Sequence, residues 1–270
     1  MLTDKQLQHF DVFGFLCLRQ IFSPEEMREI TEAADQLWLE DRGGEPDDGR
    51  PQSLGRFVEH SPRLLDLAED DRIFGVASDL LGPGFLWSGS EGNKDGADDG
   101  EHNWHADRPG SAETEYRRLK MMVYLAPTTR DRGALRVIPG SHRMPFHEWL
   151  WPLQANHFKD GTVGDSFGLD GGEEVPCCPL ETMPGDVVYF HHSLFHSAYG
   201  KFPERRYVAF KFVTPPDTEA KLRSMKHYAG HAFDVDPALL ARPRLRTITE
   251  GLLELGEKAA ALTDGEGSQG

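Results

Sequence analysis

From residue 85 onward the chain is built of short runs rich in β-branched and aromatic residues: FLWSGS, LKMMVYLAP, ALRVIPG, ETMPGDVVYFHH and RRYVAFKFV. Each is closed off by Gly, Pro or Asp. Runs of this length are too short for long helices, and side chains that alternate between two faces need a second layer to bury the apolar one. The texture predicts a β-sandwich or jelly roll.

The segment before residue 85 reads differently. Thr3 is placed to cap a short helix through Phe10, and GFLCLRQIF has strand character. Ser23-Pro24-Glu25-Glu26 opens a second helix over about residues 24–40, with Ser at the N-cap, Pro in the first turn and carboxylates at the positive dipole end. Met27, Ile30, Ala34 and Leu37 recur at intervals of three and four and give that helix one apolar, scaffold-facing side. A polar Gly/Asp/Pro stretch over about 41–52 reads as a loop, and a third helix is expected over about 62–81, ending at Gly82-Pro83-Gly84.

Residues 143–178 are too long for a hairpin and are expected to form a lid or site wall. Beyond Pro215 the pattern returns to helix, around 217–227 and 237–262, and residues 263–270 read as a disordered tail. The expected architecture is therefore mainly β with flanking helices, in one domain spanning 1–270. Residues 1–84 form an N-terminal support, 85–215 a double-stranded β-helix (jelly roll, cupin-like) core carrying the 143–178 insertion, and 216–262 C-terminal helices.

Charge narrows the range of partners. The 45 acidic against 29 basic residues give a formal charge of −16, which repels nucleic acid and anionic membrane surfaces but does not exclude a local basic pocket. No apolar run reaches the roughly eighteen residues of a membrane span, and Asp4, Lys5 and Gln6 interrupt any secretory core, so a cytoplasmic protein is expected. The three cysteines, Cys17, Cys177 and Cys178, fit neither a disulfide framework nor a zinc site. A small-molecule substrate is the expected partner, and oligomeric state is left open.

The residues that carry chemistry are split along the chain. In an extended strand His105 and Asp107 of NWHADRPG point to one face with Ala106 turned away, and VVYFHHSLFHSAYG supplies further histidines almost ninety residues later. Two imidazoles and one carboxylate on one side of a metal leave the opposite positions open for a co-substrate and O₂, as a non-haem Fe(II) centre requires. Arg205 and Arg206 follow in RRYVAFKFV. Strand alternation groups Arg206 with Val208, Phe210 and Phe212, and Arg205 with Tyr207, Ala209 and Lys211. The apolar group reads as the inward one, so Arg206 is the inward-facing arginine of the two.

The order His-x-Asp, GALRVIPGSH, PGDVVYFHHSLFH and then an Arg in a strand resembles the phytanoyl-CoA dioxygenase family of Fe(II)/2-oxoglutarate oxygenases. The opening LTDKQLQHFDVFGFLCLRQIFSPEEM is also similar to that family's N-terminal segment, so the resemblance covers roughly residues 1–215. It implies Fe(II), with 2-oxoglutarate and O₂ as co-substrates, and hydroxylation of a small organic molecule with release of succinate and CO₂. The implied iron ligands are His105, Asp107 and, counted from Gly185-Asp186, His196. The family's Arg, which pairs with the far carboxylate of 2-oxoglutarate, falls on Arg205 or Arg206, of which strand parity selects Arg206, and Lys120, Met122 and Ser197 are further candidates for that co-substrate. Substrate contacts are expected from Arg108, Trp104, Tyr124 and His192, with Arg117 and Arg118 as further cations near the site.

The chain departs from the family where His196-Ser197-Ala198-Tyr199 replaces the usual His-Gly-Ser, displacing the hydroxyl that commonly holds 2-oxoglutarate. Its His-to-Arg spacing is also one residue short. Asp107 itself argues against the related halogenases, which carry a small residue there. Ser141 and His142 read as turn-stabilising, and NKDGADDGEH as a solvated loop at the cavity mouth. Two other readings accompany the oxygenase: a cupin-type metal enzyme that needs no 2-oxoglutarate, and a non-catalytic jelly-roll binding or sensor module.

Overall fold

The computed structural model describes residues 1–96, 101–157, 167–228 and 232–262. Helix α1 (Asp4–Phe13) begins at Thr3 and α2 (Pro24–Asp41) at Ser23, each closed by a reciprocal capping box with Gln6 and Glu26 respectively. Between them β1 (Phe15–Leu18) joins a six-stranded antiparallel sheet of order β1-β8-β5-β10-β3-β2. The other members are β2 (Gln52–Gly55), β3 (Leu86–Lys94), β5 (Arg118–Tyr124), β8 (Val187–His191) and β10 (Arg206–Val213). A four-stranded sheet, β4-β9-β6-β7, faces it, made of β4 (His102–His105), β6 (Leu135–Val137), β7 (Cys178–Leu180) and β9 (His196–Ala198). Two facing antiparallel sheets with helices outside are the expected jelly roll.

Two apolar layers hold this together. One lies between the large sheet and the helices, where Ile30, Ala34 and Trp38 of α2 meet Leu119, Met121, Val123, Val208, Phe210 and Phe212. The other lies between the sheets and includes Met122, Tyr124, Leu135, Val188, Phe190 and Ala209. The central strands β5, β8 and β10 therefore have two buried faces, and each large side chain on either contributes about 1.5–3 kcal/mol. Just before β8, Gly185 adopts φ +104, where an added Cβ would stand 2.6 Å from the carbonyl of Phe22. That turn lets Asp186 accept hydrogen bonds from the backbone N–H groups of Gln20 and Met183, fixing the strand that leads to the distal histidines.

Several expectations change in detail. The third helix is interrupted. Asp70 is extended and separates α3 (Pro62–Glu69) from α4 (Val76–Leu81), capping the intervening turn through its carboxylate. The C-terminal helix over 237–262 is three pieces, Pro237–Leu240, Pro243–Arg246 and Gly251–Ala260, because Pro243 has no N–H to continue the first of them. β2 forms at the end of the stretch expected to be a loop. The 143–178 insertion contains short helices at Phe146–Trp149 and Trp151–Ala155, packed over the small sheet through Leu150, Leu153 and Trp104. Residues 263–270 lie outside the described residues. No helix among the described residues is long and apolar enough to cross a membrane.

Candidate metal centre

β4 and β9 are antiparallel with His105 directly opposite His196, and this register brings together two residues far apart in sequence. Their ring centroids are 4.2 Å apart. Asp107, just past the end of β4, places Oδ1 3.7 Å from Nε2 of His105 and 3.8 Å from Nε2 of His196. Donor atoms of these three residues all lie within 4.8 Å of one another.

The tautomers are set by the backbone. His105 Nδ1 lies 2.8 Å from the carbonyl of Asn103, and His196 Nδ1 2.9 Å from that of Leu194. A carbonyl only accepts, so each Nδ1 carries the proton and each Nε2 keeps its lone pair for a cation. Burial, with the neighbouring His105, pushes His196 down to about 3 and so keeps it neutral. Burial works against the charge of Asp107, yet the Lys120 ammonium beside it holds its carboxyl well below the usual carboxylate range. Two neutral imidazoles and an ionised carboxylate fit a divalent cation.

These groups line a cavity of about 360 Å³ between the sheets, together with Glu91, Lys120, Met122 and Ser197. Lys120 Nζ bridges Glu91, at 2.8 Å, and Asp107, at 3.5 Å, while Lys211 also pairs with Glu91 at 2.5 Å. Burial opposes ionisation of Glu91, but the two lysines keep its carboxyl below its usual range.

The expectation for Arg206 is corrected. Arg206 forks onto Asp35 of α2 through Nε at 2.8 Å and Nη2 at 3.1 Å, on the helix-covered side of β10. Arg205 is the arginine in the cavity wall. It donates to Gly133 O at 2.6 Å and Asp95 Oδ2 at 2.9 Å, with Nη2 3.4 Å from the Tyr124 hydroxyl. The alternation along the strand was read in the right register, but its apolar face packs under helices and its more polar face looks into the site.

The other expected residues divide. Lys120, Met122 and Ser197 line the cavity. Arg108 is instead bound to Glu113 and Ser224, and Trp104 is buried against the insertion with Nε1 donating to Gly172 O. Tyr124 lies in the apolar layer between the sheets and reaches the site through Arg205. β8 ends at His191, so alternation does not carry on to His192, which is fully buried beside Asp107 outside the cavity lining. Arg117 pairs with Asp11, and Arg118 stacks on Tyr116.

Ser141 accepts from Phe195 N, and His142 lies 3.3 Å from the carbonyl of Asp11, both holding the chain around a turn. Within NKDGADDGEH, Asn93 and Lys94 belong to β3 and Asp95 is buried in the cavity wall, while residues 97–100 are outside the described set. Sequence reasoning missed His102, whose Nε2 lies 3.1 Å from that of His105, and His157, whose ring centroid is 4.5 Å from that of His105. The H-x-x-H spacing of His102 and His105 was the available signal. It meant little without the shift in register between them.

Residues 10–202 match the family model described as phytanoyl-CoA dioxygenase. The chain belongs to the phytanoyl-CoA dioxygenase family. It is accordingly a non-haem Fe(II)/2-oxoglutarate-dependent dioxygenase, and the donor set above suits that cofactor. Among curated relatives, an ectoine dioxygenase of Sphingopyxis alaskensis is 28% identical over 218 residues, covering 74% of this chain and 71% of the relative. The crystal structure of EctD from S. alaskensis with 2-oxoglutarate and 5-hydroxyectoine superposes with a TM-score of 0.59 at 27% identity, covering 79% of this chain and 76% of that one. HygX from Streptomyces hygroscopicus, solved with nickel and 2-oxoglutarate, has a TM-score of 0.64 at 22% identity over 81% of this chain and 89% of its own, and shares the fold.

Proposed function

We propose that this family member hydroxylates a small, polar organic molecule at a centre where His105, Asp107 and His196 hold Fe(II) and Arg205 anchors 2-oxoglutarate. The observation that carries this reading is the cross-strand pair His105–His196 with Asp107, set in a cavity whose wall holds a buried arginine. Iron bound here supplies activation of O₂, coupled to decarboxylation of 2-oxoglutarate to succinate and CO₂ with the second oxygen atom delivered to a substrate C–H bond.

The chain's own groups do the rest. Arg205 stays protonated, held so against its burial by Tyr124 and Asp95, and a guanidinium grips a carboxylate with two parallel hydrogen bonds. Its partners Gly133 and Asp95 leave N–H groups on the terminal nitrogens for such a ligand. Lys120 sets the charge beside Asp107 and offers an ammonium to the co-substrate. Ser197 supplies a cavity hydroxyl one position earlier than the usual pattern. Phe190 and Met122 give the cavity its apolar wall and keep bulk water away.

A cavity of about 360 Å³ that must also hold 2-oxoglutarate leaves room for a compact substrate. The mixed charges of Glu91, Asp95 and Lys201 in its wall favour one bearing polar or charged groups. Ectoine, for which the curated relative is named, is the first compound to assay. Anaerobic addition of Fe(II) and 2-oxoglutarate is expected to give a weak visible charge-transfer band that is lost in His196→Ala. Succinate formation should be stimulated by the substrate. An undiminished band in His196→Ala, or substrate turnover without 2-oxoglutarate, would overturn the assignment.

A further inference from the structure

We propose a second metal position at the mouth of the cavity, formed by His102, His105 and His157, which takes a borderline cation such as Zn(II) and excludes iron from the first. The exclusion rests on the iron-ligand reading above; the three-histidine site does not.

Each of the three residues offers a ring nitrogen, and these atoms lie within 4.8 Å of one another. The Nε2 atoms of His102 and His105 are 3.1 Å apart, close to the roughly 3.3 Å between two nitrogens on a tetrahedral ion with bonds of about 2.0–2.1 Å. Ring centroids of His157 lie 4.5 Å from His105 and 5.7 Å from His102. Because Nδ1 of His105 is committed to the Asn103 carbonyl, its Nε2 is a lone pair aimed toward His102. Two ring nitrogens at that separation are joined either by one proton or by a cation.

Local structure explains how the set arises. His102 pairs with Ala198 and His105 with His196, so the four residues of β4 span three of β9, and the extra residue turns both imidazoles to one side. His102 is exposed and His157 half-buried, so an arriving ion meets them before it meets buried His196. Three imidazoles with an open fourth position and no carboxylate suit Zn(II), whereas the His105–Asp107–His196 set has the mixed donors suited to Fe(II). His105 has one free nitrogen and belongs to both sets, so one ion at a time is held.

The test uses untagged full-length protein. Asp107→Ala breaks the iron set but keeps all three histidines, and is expected to bind one Zn(II) and, with Co(II), to give the intense visible bands of four-coordinate cobalt. Adding His102→Ala and His157→Ala to that variant should weaken Zn(II) binding at least about tenfold and remove those bands. Weak six-coordinate bands only in Asp107→Ala, or intense bands that survive loss of both histidines, would overturn the site. In the otherwise wild-type chain, the His102→Ala/His157→Ala pair should retain the Fe(II)/2-oxoglutarate band, which also reports correct folding. The Zn(II) concentration that bleaches this band should rise about tenfold in that pair. Bleaching at unchanged concentration would refute the exclusion while leaving the iron assignment intact.

Discussion

On one face of β10, Val208, Phe210 and Phe212 pack beneath the helices; on the other, Tyr207, Ala209 and Lys211 look across to the smaller sheet. Both faces are buried, for different ends. The first is uniformly apolar and contributes stability. The second mixes Met122 and Phe190 with Lys120, Lys211 and Arg205, each charge bound to a partner such as Glu91 or Asp95, and it lines the proposed centre. This jelly roll thus has two interiors, and the proposed centre lies in the polar one, because a closed apolar interior has nothing with which to hold an ionic co-substrate.

The contrast can be broken most forcefully at Phe210, which is fully buried on the helix side. Phe210→Ala should cost about 3–5 kcal/mol in denaturant unfolding while the folded fraction keeps its 2-oxoglutarate affinity. A changed affinity at unchanged stability would show that the two faces are not separable.

The neighbouring arginines sharpen it further. Arg205→Ala should raise the KM for 2-oxoglutarate about 10–100-fold, the equivalent of about 1.5–3 kcal/mol of charge-assisted hydrogen bonding. Arg206→Ala loses only a partly exposed pair with Asp35 and should shift stability by less than about 1 kcal/mol with KM unmoved. The opposite ranking in a succinate assay would restore Arg206 as the anchor.

An effect smaller than the loss of Phe210 or Arg205 belongs to the helix side alone. Hydrogen bonds from Arg72, then the N–H of Ser23, push Glu26 down to about 2. A lowered folded value stabilises above the ordinary carboxylate range and is lost as pH falls through about 4.5 toward 2. Glu26→Gln should therefore be about 1–2 kcal/mol less stable than wild type at pH 7, discounted for partial exposure, and equal to it near pH 2. Thermal unfolding across that range, with iron binding monitored in parallel, checks both the sign and the independence of the cavity.

Much of this was legible in the sequence. Periodicity and capping gave α1, α2 and the main strands, because those elements follow from local patterns that tertiary packing reinforces. β2 was not legible: Gln52-Ser53-Leu54-Gly55 has little strand character and forms by pairing with β3. The helix break at Asp70 is a local capping choice within an otherwise continuous apolar pattern. Strand parity separated Arg205 from Arg206 correctly, but which face holds the site depends on what covers the sheet, and a single strand does not encode that. His102 was hidden because a bulge changes the meaning of its spacing, and His157 because only the fold of the insertion brings it near.

The order of strands in the large sheet also bears on how the protein is made. Among the described strands only β2 and β3 are both adjacent in that sheet and consecutive in the chain; Phe15 of β1 pairs with Phe190, β5 waits for β8, and β3 waits for β10 on its second edge. As the chain leaves the ribosome, most of its strands must pass through a period without partners, a slow and aggregation-exposed route that places demands on chaperones. His105 and Asp107 emerge well before His196, so a nascent chain offers a cation two donors at most from this set. At the proposed centre the third donor therefore joins only when β9 closes against β4.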